Sequence, residues 1–428
     1  MARPAHIILA KILRKGLRLS GGHGSALPGR IIEQLDPHFL ARTLAPLPEG
    51  VVVVTGTNGK TTTTHMLVHL LRAQGKRVLT NPSGSNLTRG LISTIVEHSS
   101  TSGNLPFDIA VFEVDEAYAP LLARKVPLRL LLALNVMRDQ LDRYGELDAT
   151  ATYIAKAAEL AKTVVVNGND VLLTAKTNAH QGRLLFGLAS HLLAQLSSED
   201  NLYAKAQRSA KPQKLDAEIV DFSTTETHAM YTLNSGGEQV SGSLPVLGLH
   251  NALNACAAIF TTKILIPPAN LKECASELRN FQPAFGRGET LRIEGKDLTV
   301  ALIKNPSGFT QNLSTFVRPG VGAVLIVIND EYADGRDVSW LWDVQIDKLK
   351  NFKGKIFVGG CRRFDMALRL KYAAVPFEVV DTDESDEMMR VILASSQWKE
   401  HLLIIPTYTA MLAIRKWLGV KLGRKHLW

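Results

Sequence analysis

Cysteine is scarce in this chain: Cys256, Cys274 and Cys361 are the only three among 428 residues. They are scattered, odd in number and form no Cys-x-x-Cys pair. That argues against a disulfide framework and against a four-cysteine zinc site, and it fits a reducing cytoplasm. Aromatic residues make up only 6%. Few of them interleave with basic residues and no nucleic-acid-binding motif is recognisable, so nucleic acid is not an expected partner. No apolar run reaches roughly 18 residues, so no bilayer span is expected. The N-terminal stretch lacks the basic, apolar, small-residue order of a signal peptide. No internal repeat or low-complexity tract is visible.

What is present is a balanced globular composition, 46% hydrophobic and 21% charged, with Lys+Arg exceeding Asp+Glu by 49 to 40 for a net +9. The length suggests two or three domains and a large core without disulfides. The charge permits phosphates, nucleic acid or anionic lipid as partners and does not choose among them. Residues 6–20, HIILAKILRKGLRLS, put Ile8, Ile12 and Leu19 on one face at helical spacing, with the basic residues Lys11, Arg14, Lys15 and Arg18 opposite. Two readings stand: a first helix packed on its own domain, or a helix lying on an anionic membrane surface.

The fold class read from the pattern is α/β. Val51–Val54 is a buried parallel strand, followed by TGTNGK and a helix with Met66, Leu67, Leu70 and Leu71 on one side. Further strands are expected at 76–80, 107–114, 128–135 and 163–167, separated by helical segments, which gives βαβ units and a parallel sheet. Residues 198–245 are polar with short alternating runs, consistent with antiparallel strands or a surface insertion. Helical pattern returns at 250–265. A second, smaller α/β region carries strands at LTVALI, AVLIVIN, KIFVGG, FEVV and LLIIP, and the boundary falls near Gly286–Gly288.

The strongest local signal is VVVVTGTNGKT at 51–61. A strand, a glycine-containing turn and Lys-Thr opening a helix make a phosphate loop, in which backbone N–H groups and the helix N-terminus hold phosphate oxygens. Lys60 supplies charge, and the Thr61 hydroxyl suits Mg2+. The spacing is shorter than GxxxxGK[ST], because position 54 is Val.

TGTNGKTTTT resembles the nucleotide loop of the Mur ligase superfamily, which includes folylpolyglutamate synthetase and joins a carboxylate to an amine through an acyl phosphate. Several later segments extend the resemblance in order. Glu113 in VFEVDEA stands where the family has a metal-binding glutamate. Asn135 to Gly145 is similar to the family's N-x-x-x-D-H-x-D stretch, with Asp139 and Asp142 kept and Gln140 where His is common. Asn167-Gly-Asn-Asp170 resembles a strand-end Asn-Ala-Asp-Asp. Gly248-Leu-His250-Asn251-Ala-Leu-Asn254 resembles an ATP-site element, and Gly286-Arg287-Gly-Glu289 the junction with the C-terminal domain. Read one by one, Glu113 is equally a solvated strand end, Asn251 and Asn254 are equally helix caps, and His250 is equally a structural histidine.

In the C-terminal region, LIKNPSGF at 302–309 keeps an Asn-Pro but not the usual amino-acid-binding surroundings. The run NDEYADGRDVSWLWD at 329–343, PTYTA at 406–410 and TNPSGSNLTRG at 80–90 resemble the MurT family, the synthetase subunits of lipid II isoglutaminyl synthase. With these pieces the resemblance covers nearly the whole chain. It implies a basic helical arm at 1–48, an ATP-binding central domain at 49–287 with a polar insertion at 190–245, and a glutaminase-docking α/β domain at 288–428. It implies ATP and Mg2+, with Thr57, Asn58, Gly59, Lys60, Thr61, Thr62, His250, Asn251, Asn254 and Arg287 at the nucleotide, and Thr61 and Glu113 at the metal. Asn81, Asn86, Asn135 and Asp139 fall to the substrate. The implied partner is a GatD-like glutamine amidotransferase, forming a heterodimer. The implied substrate is lipid II at the inner face of the cytoplasmic membrane, amidated on the α-carboxylate of its D-glutamate.

An aspartate that orients the partner's catalytic His is assigned to Asp337 first and Asp334 second, although ADGRD is also good turn chemistry. Many relatives carry a four-cysteine zinc ribbon, whereas 190–245 holds no cysteine, so no structural zinc is expected. The alternative is a stand-alone amino-acid ligase of the Mur or folylpolyglutamate type, against which the altered 302–309 region counts. A non-catalytic nucleotide-binding scaffold is disfavoured by the intact Lys60, Thr61, Glu113 and His250.

Overall fold

The computed structural model describes residues 4–19, 26–82, 87–138, 147–196, 213–267 and 269–423. Two sheets organise them. The first has nine strands in the order β2-β3-β1-β4-β5-β6-β7-β8-β9: β1 Val51–Thr55, β2 Val78–Thr80, β3 Ile109–Glu113, β4 Leu128–Ala133, β5 Ala161–Asn167, β6 Arg183–Leu188, β7 Ala217–Thr224, β8 Ala229–Ser235 and β9 Glu238–Leu244. Pairing is parallel from β2 to β7 and antiparallel across β7-β8-β9.

The four-valine run explains itself here. Val52 and Val54 enter one core and Val51 and Val53 the other, so β1 is covered on both faces and every position must be apolar. One face packs α4 (Lys60–Ala73) and the helix Leu249–Leu265. The other packs α1 (Pro4–Leu19), α2 (Ala26–Leu35), α3 (Phe39–Leu44), α5 (Thr88–His98) and α6 (Ala119–Lys125). Ile7, Ile32, Phe39, Leu40 and Leu44 share that core with Val51 and Val53. The N-terminal helices thus share a core with the central sheet.

The second sheet has six strands in the order β10-β11-β15-β12-β13-β14: β10 Arg287–Ile293, β11 Lys296–Ala301, β12 Val321–Val327, β13 Lys355–Gly359, β14 Glu378–Val379 and β15 His401–Pro406. All pairs are parallel except the β10/β11 hairpin. The carboxyl end of β11 leads through Leu302–Asn305 into the helix Pro306–Phe316. There the Asn305 side chain accepts the Gly308 N–H as helix cap, and Pro306 occupies the first turn.

Candidate nucleotide site

The loop between β1 and α4 turns on two glycines. Gly56 has φ +131°, and a Cβ there would lie 2.9 Å from the Asn135 nitrogen. Gly59 has φ +86°, and a Cβ there would lie 2.6 Å from Asn254 Oδ1. Only glycine meets both the backbone conformation and the close approach.

Asn135 forms the floor of the loop. Its Oδ1 accepts the Asn58 N–H (2.8 Å), its Nδ2 donates to the Asn58 carbonyl (2.9 Å), and its own carbonyl accepts the Thr57 N–H (3.0 Å). The Thr57 hydroxyl accepts the Met137 N–H at 3.0 Å. Asp170, half-buried in the loop after β5, accepts N–H groups from Val136 (2.7 Å) and Leu173 (2.9 Å), which fixes the strand-end loop and caps the helix that follows. Burial holds its carboxyl above the ordinary range against those hydrogen bonds.

Lys60, Thr61 and Thr62 open α4 and are buried. The Lys60 ammonium donates to the Gly56 carbonyl (2.8 Å) and lies 3.4 Å from both Asp115 and Glu116. Thr61 Oγ1 donates to Glu113 Oε1 at 3.1 Å and accepts from Arg287 Nη2 at 3.3 Å. Burial pulls the Arg287 guanidinium below its usual value, with Glu113 and Glu289 opposing. Glu289 accepts the Gly286 and Arg287 N–H groups (2.7 and 2.9 Å), and burial pushes its carboxyl up to about 7. Asn81 grips the backbone of Glu113 from both sides: its Nδ2 donates to the Glu113 carbonyl (2.9 Å) and its Oδ1 accepts the Glu113 N–H (3.0 Å).

His250, Asn251 and Asn254 lie on the first turns of the helix Leu249–Leu265, with Asn254 against Gly59. The Asn251 amide donates to the Leu247 carbonyl at 2.7 Å, and the Asn254 amide to Asn251 Oδ1 at 3.4 Å. Enclosure brings the His250 imidazole down to about 4, so it is neutral at pH 7.

From the second sheet, Asn305 Nδ2 donates to Asn58 Oδ1 at 3.0 Å. The Ser307 hydroxyl lies 3.1 Å from the Met137 sulfur, and Arg138 pairs with Asp343 at 3.6 Å. The nucleotide loop and the C-terminal sheet are therefore in direct polar contact.

Of the residues singled out in the sequence, Thr57 to Thr62, Glu113, Asn135, Asn254 and Arg287 converge on this loop. Asn81 braces it from behind, and His250 and Asn251 flank it. Asn86 and Asp139, with Gln140, lie outside the described residues. Asp334 and Asp337 belong to the loop after β12. Asp334 is buried and accepts the Thr409 N–H and hydroxyl and the Glu331 N–H. Asp337 is half-buried and accepts the Ser339 N–H at 2.8 Å. Sequence reasoning missed Asp115 and Glu116 as partners of Lys60, although both sit in the VFEVDEA segment that marked Glu113.

A fold-independent test of Mg2+ is the donor set. The Thr61 hydroxyl and Glu113 carboxylate are adjacent, buried oxygen ligands, suited to a hard cation that completes its shell with phosphate oxygens and water. Among the described residues no three or more His, Cys, Asp or Glu side chains form a metal cage.

Family models match residues 54–262 as a Mur ligase middle domain and residues 302–411 as a MurT ligase C-terminal domain. The chain is 31% identical to the Streptococcus pneumoniae protein named lipid II isoglutaminyl synthase (glutamine-hydrolyzing) subunit MurT, over 97% of this chain and 95% of that one. The chain belongs to the MurT family. A Staphylococcus aureus MurT subunit is 28% identical over 95% of each chain. Among solved structures, MurF ligase from Thermotoga maritima in complex with ADP superposes with a TM-score of 0.69 at 14% identity, covering 92% of this chain and 84% of that one. Folylpolyglutamate synthase from Mycobacterium tuberculosis, complexed with ADP and AMPPCP, gives 0.61 at 15% identity, covering 91% and 97%. These fix the fold as that of Mur ligases. As a MurT-family chain, this is a Mur-type, ATP-dependent carbon–nitrogen ligase; both MurT relatives are named as subunits of a glutamine-hydrolyzing synthase.

Proposed function

We propose that the chain activates the α-carboxylate of the D-glutamate in the lipid II stem peptide, and that ammonia from a GatD-like glutaminase partner converts it to D-isoglutamine. The observation that carries this reading is the joining of the Lys60–Thr61–Glu113–Arg287 cluster to the C-terminal sheet through Asn58 and Asn305. It supports a nucleotide held on one sheet and an acceptor approached from the other.

A carboxylate is a poor electrophile because oxide is a poor leaving group. Attack of a carboxylate oxygen on the γ-phosphorus of ATP, with ADP departing, gives an acyl phosphate. The lone pair of ammonia then forms the C–N bond, phosphate leaves with the C–O electrons, and the nitrogen loses a proton. Nucleotide and acceptor are both anionic, so positive charge at the loop lowers the barrier. Lys60 and Arg287 supply it from the chain. A Mg2+ held by Thr61 and Glu113 would add Lewis acidity at the phosphate oxygens. A shielded path favours neutral ammonia, because free ammonium at neutral pH has no lone pair to offer.

Asp337 fits the role of positioning the partner's catalytic His better than Asp334 does. Asp334 spends both carboxylate oxygens inside its own domain, on Thr409 and Glu331. Asp337 stands half-buried in the loop surface. An Asp337→Asn complex should lose glutamine-dependent amidation and keep ATP turnover with ammonium salts; unchanged glutaminase activity rejects the assignment. The overall reading is tested by assaying lipid II amidation with glutamine plus the glutaminase, with ammonium salts, and with amino acids as nucleophile, using Lys60→Ala as control. Product with amino acids instead of ammonia would make the chain a stand-alone ligase and refute the proposal. In the proposed reaction the site acts at the inner membrane face, where its lipid-linked substrate is held.

A further inference from the structure

We propose that Asn305 is a positioning residue for the nucleotide loop: its side chain holds Asn58 from the second sheet, so that nucleotide binding and the docking of that sheet depend on each other. Asn305 and Pro306 stand in a segment that lacks the usual amino-acid-binding surroundings. The asparagine has another use. It is 1% exposed and starts the helix Pro306–Phe316. Its Oδ1 accepts the Gly308 N–H at 2.8 Å as the helix cap. That bond fixes which way the amide faces. With the oxygen turned to the helix, the Nδ2 donor is turned to Asn58, whose Oδ1 it reaches at 3.0 Å.

The choice of residue follows from these two bonds. Asn, Asp and Ser cap helices about equally well. An ionised Asp would cap but has no donor for Asn58 Oδ1, and a Ser hydroxyl sits one bond closer to its own backbone. Of the three, only asparagine does both. A second thread runs beside the first. Asn58 Nδ2 lies 3.4 Å from the Met137 sulfur and 3.4 Å from Asn305 Oδ1, and the buried Ser307 hydroxyl lies 3.1 Å from the same sulfur. Both threads begin on the Asn58 amide and end on the first turn of one helix.

Asn58 is where such a hold matters. It lies between Gly56 and Gly59, both with positive φ, so the loop has backbone freedom that must be given up before phosphates are bound. Asn135 grips the Asn58 N–H and carbonyl from the first sheet, at 2.8 and 2.9 Å. Asn305 grips its side chain from the second. Lys60 and Thr61 follow directly after Gly59. With the second sheet in place the loop is anchored from both sides; with it displaced, one anchor is gone. By linkage, a nucleotide that prefers the anchored loop must in turn favour the docked sheet. The inference rests on the nucleotide site alone and needs neither lipid II, ammonia nor the glutaminase.

The test is the affinity of the full chain for ADP with Mg2+, by calorimetric titration, together with the unfolding midpoint. Asn305→Ser keeps a helix cap and removes the donor to Asn58. Asn58→Ala removes the other partner and leaves the cap untouched, so it answers even where the serine variant folds poorly. Each should weaken ADP binding by about three- to tenfold, the effect of one or two neutral hydrogen bonds. The double variant should fall within about twofold of the weaker single one, because the two side chains act as a pair. The unfolding midpoint of nucleotide-free Asn305→Ser should stay within about 2 °C of the parent, while the upward shift at a fixed ADP concentration should be smaller. Parent affinity in both variants overturns the proposal, and so do two effects that multiply. A large drop in the midpoint of Asn305→Ser with unchanged ADP affinity in Asn58→Ala assigns Asn305 to helix capping alone and also overturns it. A parent that binds no ADP refutes the nucleotide site itself. Failure of amidation with ADP binding intact refutes the proposed reaction and leaves this inference standing.

Discussion

Replacing Lys60 by Met removes the cation from a buried acidic nest, and the consequences separate cleanly into stability and chemistry. Glu116 is 3% exposed and lies 3.4 Å from the ammonium; Asp115 is at the same distance but half-buried. At an effective dielectric near 20, one unit pair at that separation attracts by about 5 kcal/mol. Desolvation offsets much of this, but removing one partner leaves the other buried and uncompensated, which costs about 3–5 kcal/mol. Lys60→Met should therefore lower the unfolding midpoint of the nucleotide-free protein by several degrees. Glu116→Gln added to it should recover most of the loss, because a neutral amide no longer needs a cation. Asp115→Asn should recover little, since water already solvates that group. ATP-dependent amidation should fall by at least about 100-fold in Lys60→Met and stay down in the double variant, because charge at the phosphates is not restored. Calorimetry and a phosphate-release assay on the same four proteins decide it. If Lys60→Met unfolds like the parent, or Glu116→Gln fails to rescue it, Glu116 does not depend on Lys60 and the reading of this nest is wrong.

Gly59→Ala should cost about 1–2 kcal/mol from the left-handed backbone alone, and it should raise KM for ATP as the new methyl pushes against Asn254; unchanged ATP kinetics would contradict the close approach. Asn81→Ala removes two hydrogen bonds to the Glu113 backbone, about 1–3 kcal/mol in all, and should raise the Mg2+ concentration needed for half-maximal turnover. Between pH 4.5 and 6.5 the contributions of two groups to the pH dependence of stability should nearly cancel. His250, lowered from 6.5 to about 4, contributes stability that is lost as pH falls through that window, whereas Glu289, raised from 4.5 to about 7, contributes stability that is lost as pH rises through its own. Glu289→Gln should expose the histidine's slope and His250→Gln the carboxylate's, each at most about 1.4 kcal/mol per pH unit; denaturant titrations at four pH values that show parallel curves for all three proteins would refute the assignment.

The legible parts of this molecule are those whose cause is local. A four-valine strand, two glycines and Lys-Thr at a helix start define the phosphate loop within eleven consecutive residues, and the structure builds the loop from those same residues. β6 and β10 were not visible. In β10, RGETLRI alternates polar and apolar at the rim of its sheet, and its one partner, β11, runs antiparallel beside it. Such a strand carries little of the apolar signal that marks a strand buried on both faces. β6 was hidden differently: LLFGL is short and contains Gly187, where a Cβ would lie 2.4 Å from Asn169 Oδ1. The partnership of Lys60 with Glu116 spans 56 positions and that of Asn58 with Asn305 spans 247. No periodicity reports such pairs; only the folding of β3 beside β1, and of the second sheet against the first, brings them together.

The N-terminal helix bears on one of the two readings of its segment, the packed one. Amphipathic periodicity ordinarily yields one buried and one polar face. In α1 the apolar residues outnumber what one face can bury: Ile7 and Ala10 satisfy the core, and Ile8, Leu9 and Ile12 remain outside it. A helix with the single function of packing would carry polar residues at those three positions at no cost to its core, and gain solubility. The core contact of α1 thus accounts for Ile7 and Ala10 and leaves Ile8, Leu9 and Ile12 on its exposed side.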